Sequence, residues 1–256
     1  MMRRGYDVAV DAFGNGIILG ADTWLSPTVG SGIYAYHYDH TTNLIGPRVT
    51  VYETANTGGT QTFETAIQGP IGMDALGNAI TVWVREDGNG RALMSSRYIA
   101  GSGWQAPEVI QAVGSAQIAF GSLAVHASGK AAFAFSSNFG STHHTVFAVT
   151  YTPQTGWGIP VPLSSPAINS SVIGAGESVA VAGDGRALAV WSEPQGTALN
   201  LVISRYDPEV GWGPREVIDT AFDFSDESAF ALTDGFFVGY VAGRSDDYYI
   251  ESAIFR

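Results

Sequence analysis

One short motif recurs down the chain: Gly103-Trp104 with Pro107, Gly156-Trp157 with Pro160, and Gly211-Trp212 with Pro214. Each tryptophan stands six residues after a tyrosine (Tyr98, Tyr151, Tyr206) that ends a β-like run, and a short hydrophobic segment such as Pro107-Glu108-Val109-Ile110 follows. Repetition near fifty residues restricts the chain to architectures built from copies of one supersecondary unit. Aligned on a turn glycine, five copies emerge, at Gly14, Gly77, Gly129, Gly185 and Gly235, spaced 63, 52, 56 and 50 residues apart.

Alternating segments flank each of these glycines, for example Val179-Ala180-Val181-Ala182 before Gly185 and Leu188-Ala189-Val190-Trp191 after it. Two β-like runs around a glycine turn read as a hairpin. A third run ends in Tyr38, Tyr98, Tyr151, Tyr206 or Phe255, and the Gly-Trp turn leads to a fourth. In the first unit Leu44 takes the place of tryptophan and Pro47 keeps the proline. No segment carries a helical period. The expectation is an all-β chain, a single propeller domain over 1–256 of five four-stranded antiparallel meanders, at approximately 6–52, 66–112, 119–165, 175–219 and 226–256. The fifth unit stops after its third strand. Three expectations address that gap: a three-stranded last blade, a closing strand made by the residues before the first strand, or completion by a second chain in a homo-oligomer or larger propeller.

The units resemble bacterial propeller-repeat proteins whose blades run Asp-x-x-Gly-Asn-Ala-x-x-Val-Trp, then Ser-Arg-Tyr, then Gly-Trp-x-x-Pro-x-x-Ile. Asp74 to Trp83, Ser96-Arg97-Tyr98 and Gly103 to Ile110 carry the likeness, and Gly185 to Trp191, Ser204-Arg205-Tyr206 and Gly211-Trp212 repeat it. A more distant likeness links the Trp-bearing turn to sialidase-type Asp-box propellers, although the Asp-box itself is absent. The resemblance implies a blade scaffold from large exported or surface proteins and assigns no site residue. It favours an extracellular or cell-surface location, although the chain starts in a strand-like segment without a signal-peptide core.

Composition excludes several functions. The net charge is −12, with a single lysine, Lys130, so a phosphate-backbone partner is not expected. Eleven of the 24 acidic residues fall between Asp207 and Glu251, a solvated acidic rim. Cysteine is absent, which removes disulfides and thiolate metal sites, and no apolar run is long enough for a membrane span. No cofactor or metal is expected: His37 and His40 would point to opposite faces of a strand, and Asp87-Gly-Asn-Gly lacks the distal glutamate of a calcium loop.

Two sets of residues remain as candidates. The position eight after each turn glycine changes while its scaffold repeats: Asp22, Arg85, Ser137, Glu193. With Trp24, Asn138 and Asp246 nearby, it would furnish a ligand-binding loop face. The reading is a non-catalytic binding or structural module for a carbohydrate or protein ligand. Trp104, Trp157 and Trp212 serve as anchors between blades or, if half exposed, as floors of repeated sugar pockets. The alternative is a glycoside hydrolase using inner-strand carboxylates, for which Asp7, Glu177, Asp226 and Glu227 are the candidates.

Overall fold

The computed structural model describes residues 2–23, 32–53, 69–87, 90–138, 144–164, 177–244 and 247–256. Among them are five antiparallel sheets and no helix. The residues form two compact units, Met1–Ser115 with Ala127–Gly129, and Ala116–His126 with Lys130–Arg256. The first unit holds two sheets and the second holds three.

Every sheet is a meander in chain order. The second consists of Ile71–Met73, Ala79–Asp87, Gly90–Ile99, then Gly103–Trp104 and Glu108–Gly114, both paired to Gly90–Ile99. The fourth repeats it with Ser178–Val181, Ala187–Gln195, Ala198–Asp207, Gly211–Trp212 and Glu216–Ala221. The fourth strand is thus split in two, and the motif explains the split. Trp104 pairs with Tyr98, Trp157 with Tyr151 and Trp212 with Tyr206. The next amide donates to the strand (Gln105 N to Arg97 O, 2.7 Å; Gly213 N to Arg205 O, 2.8 Å), and the following proline has no N–H with which to continue the ladder.

The Ser-Arg-Tyr element is read the same way. The Ser96 hydroxyl donates to the carbonyl of Gln105 at 2.8 Å and Ser204 to that of Gly213 at 2.9 Å, pinning the residue after each tryptophan. In the first sheet Tyr38 pairs with Ile45, and Gly46 N donates to His37 O at 2.8 Å. Ile45 rather than Leu44 therefore replaces the tryptophan, because that turn is one residue longer.

The hairpin turns explain the Asp-x-x-Gly-Asn sequence. Asp74 Oδ1 accepts the amides of Leu76 and Asn78 at 2.9 Å each, and its Oδ2 accepts the Asn78 side-chain amide at 2.9 Å. Asp11 makes the same three bonds with Phe13 and Asn15. Gly77 sits at φ +80°, where a side chain would strain the backbone.

The core lies chiefly on the second and third strands of the first four sheets and on the first and second strands of the fifth. Trp83, Trp191, Phe135 and Leu201 are among the fully buried side chains. In the first unit Ile17, Ile33, Trp83 and Met94 belong to one cluster. In the second, one cluster joins the third and fourth sheets and another joins the fourth and fifth. The first strands lie side by side within each unit: Met2–Val10 against Ile71–Met73, and Ser178–Val181 against both Ile118–Val125 and Asp223–Ala231.

The fifth sheet has three strands, Asp223–Ala231, Phe236–Arg244 and Asp247–Phe255. Its outer strand exposes Ile250 at 90%. Residues Met2 to Arg4 pair with Thr23 to Ala21 of their own sheet, so they extend the first strand and form no separate closing strand.

Candidate functional site

The inner strand of each sheet reaches its turn at Val10, Met73, Val125, Val181 and Ala231. Four residues before these ends stand Tyr6, Gly69, Gly121, Glu177 and Glu227. Gly121 is sterically obligatory, since a Cβ there would come within 1.6 Å of the Ala134 carbonyl oxygen. In the last two repeats the position carries a glutamate instead.

Two features of the second unit bring these glutamates together. The Ser178 hydroxyl accepts the Ala229 amide at 3.0 Å, which ties the two inner strands one residue beyond Glu177 and two beyond Glu227. The ladder between Asp223–Ala231 and Phe236–Arg244 also shifts register between Ser225 and Ser228, with Asp226 at φ +56°. Such a bulge re-aims a side chain, and here Glu227 turns inward while Asp226 stays exposed.

Glu227 is 6% exposed, and among the described residues neither carboxyl oxygen has a hydrogen-bond partner of standard geometry, although its own backbone amide approaches it. Burial pushes its pKa up to about 7, and the charges of Glu177, Asp223 and Asp226 push in the same direction. Burial also raises Glu177. The buried Ser136 hydroxyl approaches the Glu177 carboxyl without closing a bond of standard geometry. The result is a Glu227 carboxyl that titrates at about 7 beside a Glu177 carboxyl raised above its ordinary range, with the exposed Asp226 next to Glu227 in the chain. It can donate and accept hydrogen bonds, or transfer a proton.

The other candidates lie in different settings. Asp7 uses both oxygens on backbone, accepting Ile71 N and Val8 N at 2.9 Å each, and so joins two inner strands of the first unit. Asp22, Arg85 and Glu193 fall inside second strands, paired with Gly32, Ala92 and Asn200, instead of opening the following loop. Glu193 is buried, accepts the Trp191 indole N–H at 2.8 Å and meets Arg215 at 3.3 Å. Asn138 pairs through its side-chain oxygen with Gln117 N at 2.6 Å. Trp24 and Asp246 lie outside the described residues.

Trp104, Trp157 and Trp212 are all half-buried, each tilted against its tyrosine with ring centroids 5.7, 5.3 and 5.3 Å apart. Trp104 and Trp212 pack on core clusters, as anchors do. No group of three metal-ligating side chains occurs among the described residues. No helix among them is long and apolar enough to cross a membrane.

The glutamate pair was visible in the sequence only as two inner-strand acids among others. Alignment of the repeats on the inner-strand end would have singled it out, because glutamate there replaces glycine.

No family model and no curated protein matches the chain. Solved structures do. An ulvan lyase of a new polysaccharide lyase family aligns with TM-score 0.63 and 11% identity over 97% of this chain and 63% of its own. A Hadza microbial sialidase aligns with TM-score 0.57 and 14% identity over 99% of this chain and 56% of its own. An α-L-arabinanase of Penicillium chrysogenum, complexed with arabinobiose, aligns with TM-score 0.57 and 12% identity over 97% of this chain and 77% of its own. The chain thus spans less than two thirds of the lyase and the sialidase. These likenesses establish the fold: an all-β propeller of five blade-like sheets, the last with three strands among the described residues.

Proposed function

We propose that the chain is a carbohydrate-directed propeller module of the bacterial repeat type, and that its saccharide meets the Glu177–Glu227 pair. The observation that carries this reading is the buried Glu227 carboxyl, neither oxygen of which has a hydrogen-bond partner of standard geometry among the described residues. A buried polar group without a partner is costly, and sugar hydroxyls supply both donors and acceptors to satisfy it. The ulvan lyase, the sialidase and the arabinanase bound to arabinobiose, all carbohydrate-active proteins of similar fold, favour the same ligand class. Asp22, Trp24, Arg85, Asn138, Glu193 and Asp246 remain proposed contacts for a loop-face ligand.

A glycan array of neutral and acidic oligosaccharides, followed by calorimetry between pH 5 and 9, tests the proposal. Binding is expected to weaken above pH 7, as Glu227 ionises, and Glu227→Gln is expected to flatten that profile. Failure of every glycan to bind, or an unchanged profile in the variant, would overturn it.

Glycosidic-bond hydrolysis is a second reading, favoured because Glu227 carries a proton near neutral pH, as a general acid must. Release of reducing ends by the wild type, abolished in both Glu227→Gln and Glu177→Gln, would move the assignment to it.

A further inference from the structure

The first unit contains a cleft of about 310 Å³, at the turn ends of its two sheets. That volume lies at the lower end of the range typical of small-ligand sites. Phe13, Ile17, His37, Tyr38, Leu76 and Tyr98 are in its lining, and the Asp11 and Asp39 carboxylates stand in its wall. The His37 and Tyr98 rings meet at 4.5 Å, tilted by 44°. Phe13 and Leu76 are 68% and 73% exposed, although both are large and apolar.

The repeat shows that these lining residues are not demanded by the scaffold. Two places after the first residue of the hairpin turn, Phe13 and Leu76 correspond to Ser128 and Asp184 in the next two units. One place before the repeated tyrosine, His37 corresponds to Arg97, Thr150 and Arg205. The scaffold thus accepts polar residues at both turn positions and a cation or threonine beside the tyrosine. The first two units instead put apolar side chains and an imidazole around one cleft.

Its chemistry narrows the ligand. Burial lowers the His37 pKa, so the ring is neutral at pH 7 and offers one donor and one acceptor. The Tyr38 hydroxyl donates to Asn43 Oδ1 at 2.8 Å and keeps its own acceptor sites. Asp11 and Asp39 disfavour an anion. Aromatic and aliphatic surface beside neutral donors and acceptors matches a ring with one apolar face and a hydroxyl edge.

We infer that this cleft binds a neutral sugar residue. The inference rests on the carbohydrate reading above and adds a second saccharide site, in the first unit.

The variants Phe13→Ser and Leu76→Ser test it, since both side chains are exposed and serine is what the third repeat carries. The full chain is screened on the array of neutral and acidic oligosaccharides, and the best neutral glycan is titrated by calorimetry. The double variant is expected to lose tenfold or more in affinity for that glycan, and Glu227→Gln is expected to retain the site. Chemical shifts of the His37 ring should move on titration in the wild type and not in the double variant.

Retention of neutral-glycan affinity by the double variant, with loss in Glu227→Gln, would sink this site and leave the carbohydrate reading standing. Binding of acidic glycans alone would also sink it. Silence across the whole array would overturn both.

Discussion

Glutamine in place of Glu227 should make the protein more stable at alkaline pH and leave it unchanged at acid pH. In the folded protein the carboxyl titrates at about 7, against 4.5 for an unperturbed glutamate, with burial as the chief cause. Between those values the folded state holds a proton that the unfolded chain has released. Stability therefore falls as pH rises through this window. A rise from 4.5 to about 7 amounts to about 3 kcal/mol, at about 1.4 kcal/mol per tenfold change in proton affinity. Glutamine has the same shape and does not ionise. The variant minus wild-type difference should be about 1 kcal/mol at pH 5 and approach about 3 kcal/mol at pH 8. For a chain of this size that is about 6–12 °C in Tm. Urea unfolding followed by tryptophan fluorescence at pH 5, 6, 7 and 8 measures it directly. A difference that does not change with pH, or a variant less stable at pH 8, would refute the account of Glu227 as a buried, protonated carboxyl. The coupled rise of Glu177 widens the window without changing its sign.

Two further substitutions test the scaffold that places this pair. Gly121→Ala puts a Cβ within 1.6 Å of the Ala134 carbonyl oxygen, so thermal unfolding should show a loss at or above the ~1–3 kcal/mol typical of overpacking. Trp191→Phe keeps most of the buried ring but removes the indole N–H that Glu193 accepts at 2.8 Å. That leaves the buried carboxylate supported by Arg215, and denaturant unfolding should report a cost of about 1–3 kcal/mol.

The blades were legible in the sequence because each depends on local rules that repeat. Trp104, Trp157 and Trp212 fall six residues after a tyrosine since that spacing closes one turn and pairs the two rings across it. Asp74 and Asp11 precede their glycines by three because one carboxylate satisfies two turn amides and an asparagine. Where the turn length differed, spacing misled. Leu44 occupies the expected number, while the longer turn gives the tryptophan's place to Ile45. For the loop-face candidates, too, counting alone shifted the place along the strand. Counting eight from the turn glycine lands within the second strand, so Glu193 meets Trp191 and Arg215 inside the fold.

The sequence by itself determined the repeat, the number of blades and the turn chemistry, all of which follow from nearest-neighbour backbone geometry. Only the tertiary structure decided which acids meet. Asp7 and Glu227 look alike as inner-strand carboxylates, yet one accepts the amides of Ile71 and Val8 while the other is buried with no partner of standard geometry among the described residues. That difference arises from a bulge at Asp226 and from the way one inner strand lies against the next. Neither is encoded by the spacing of residues along a single strand.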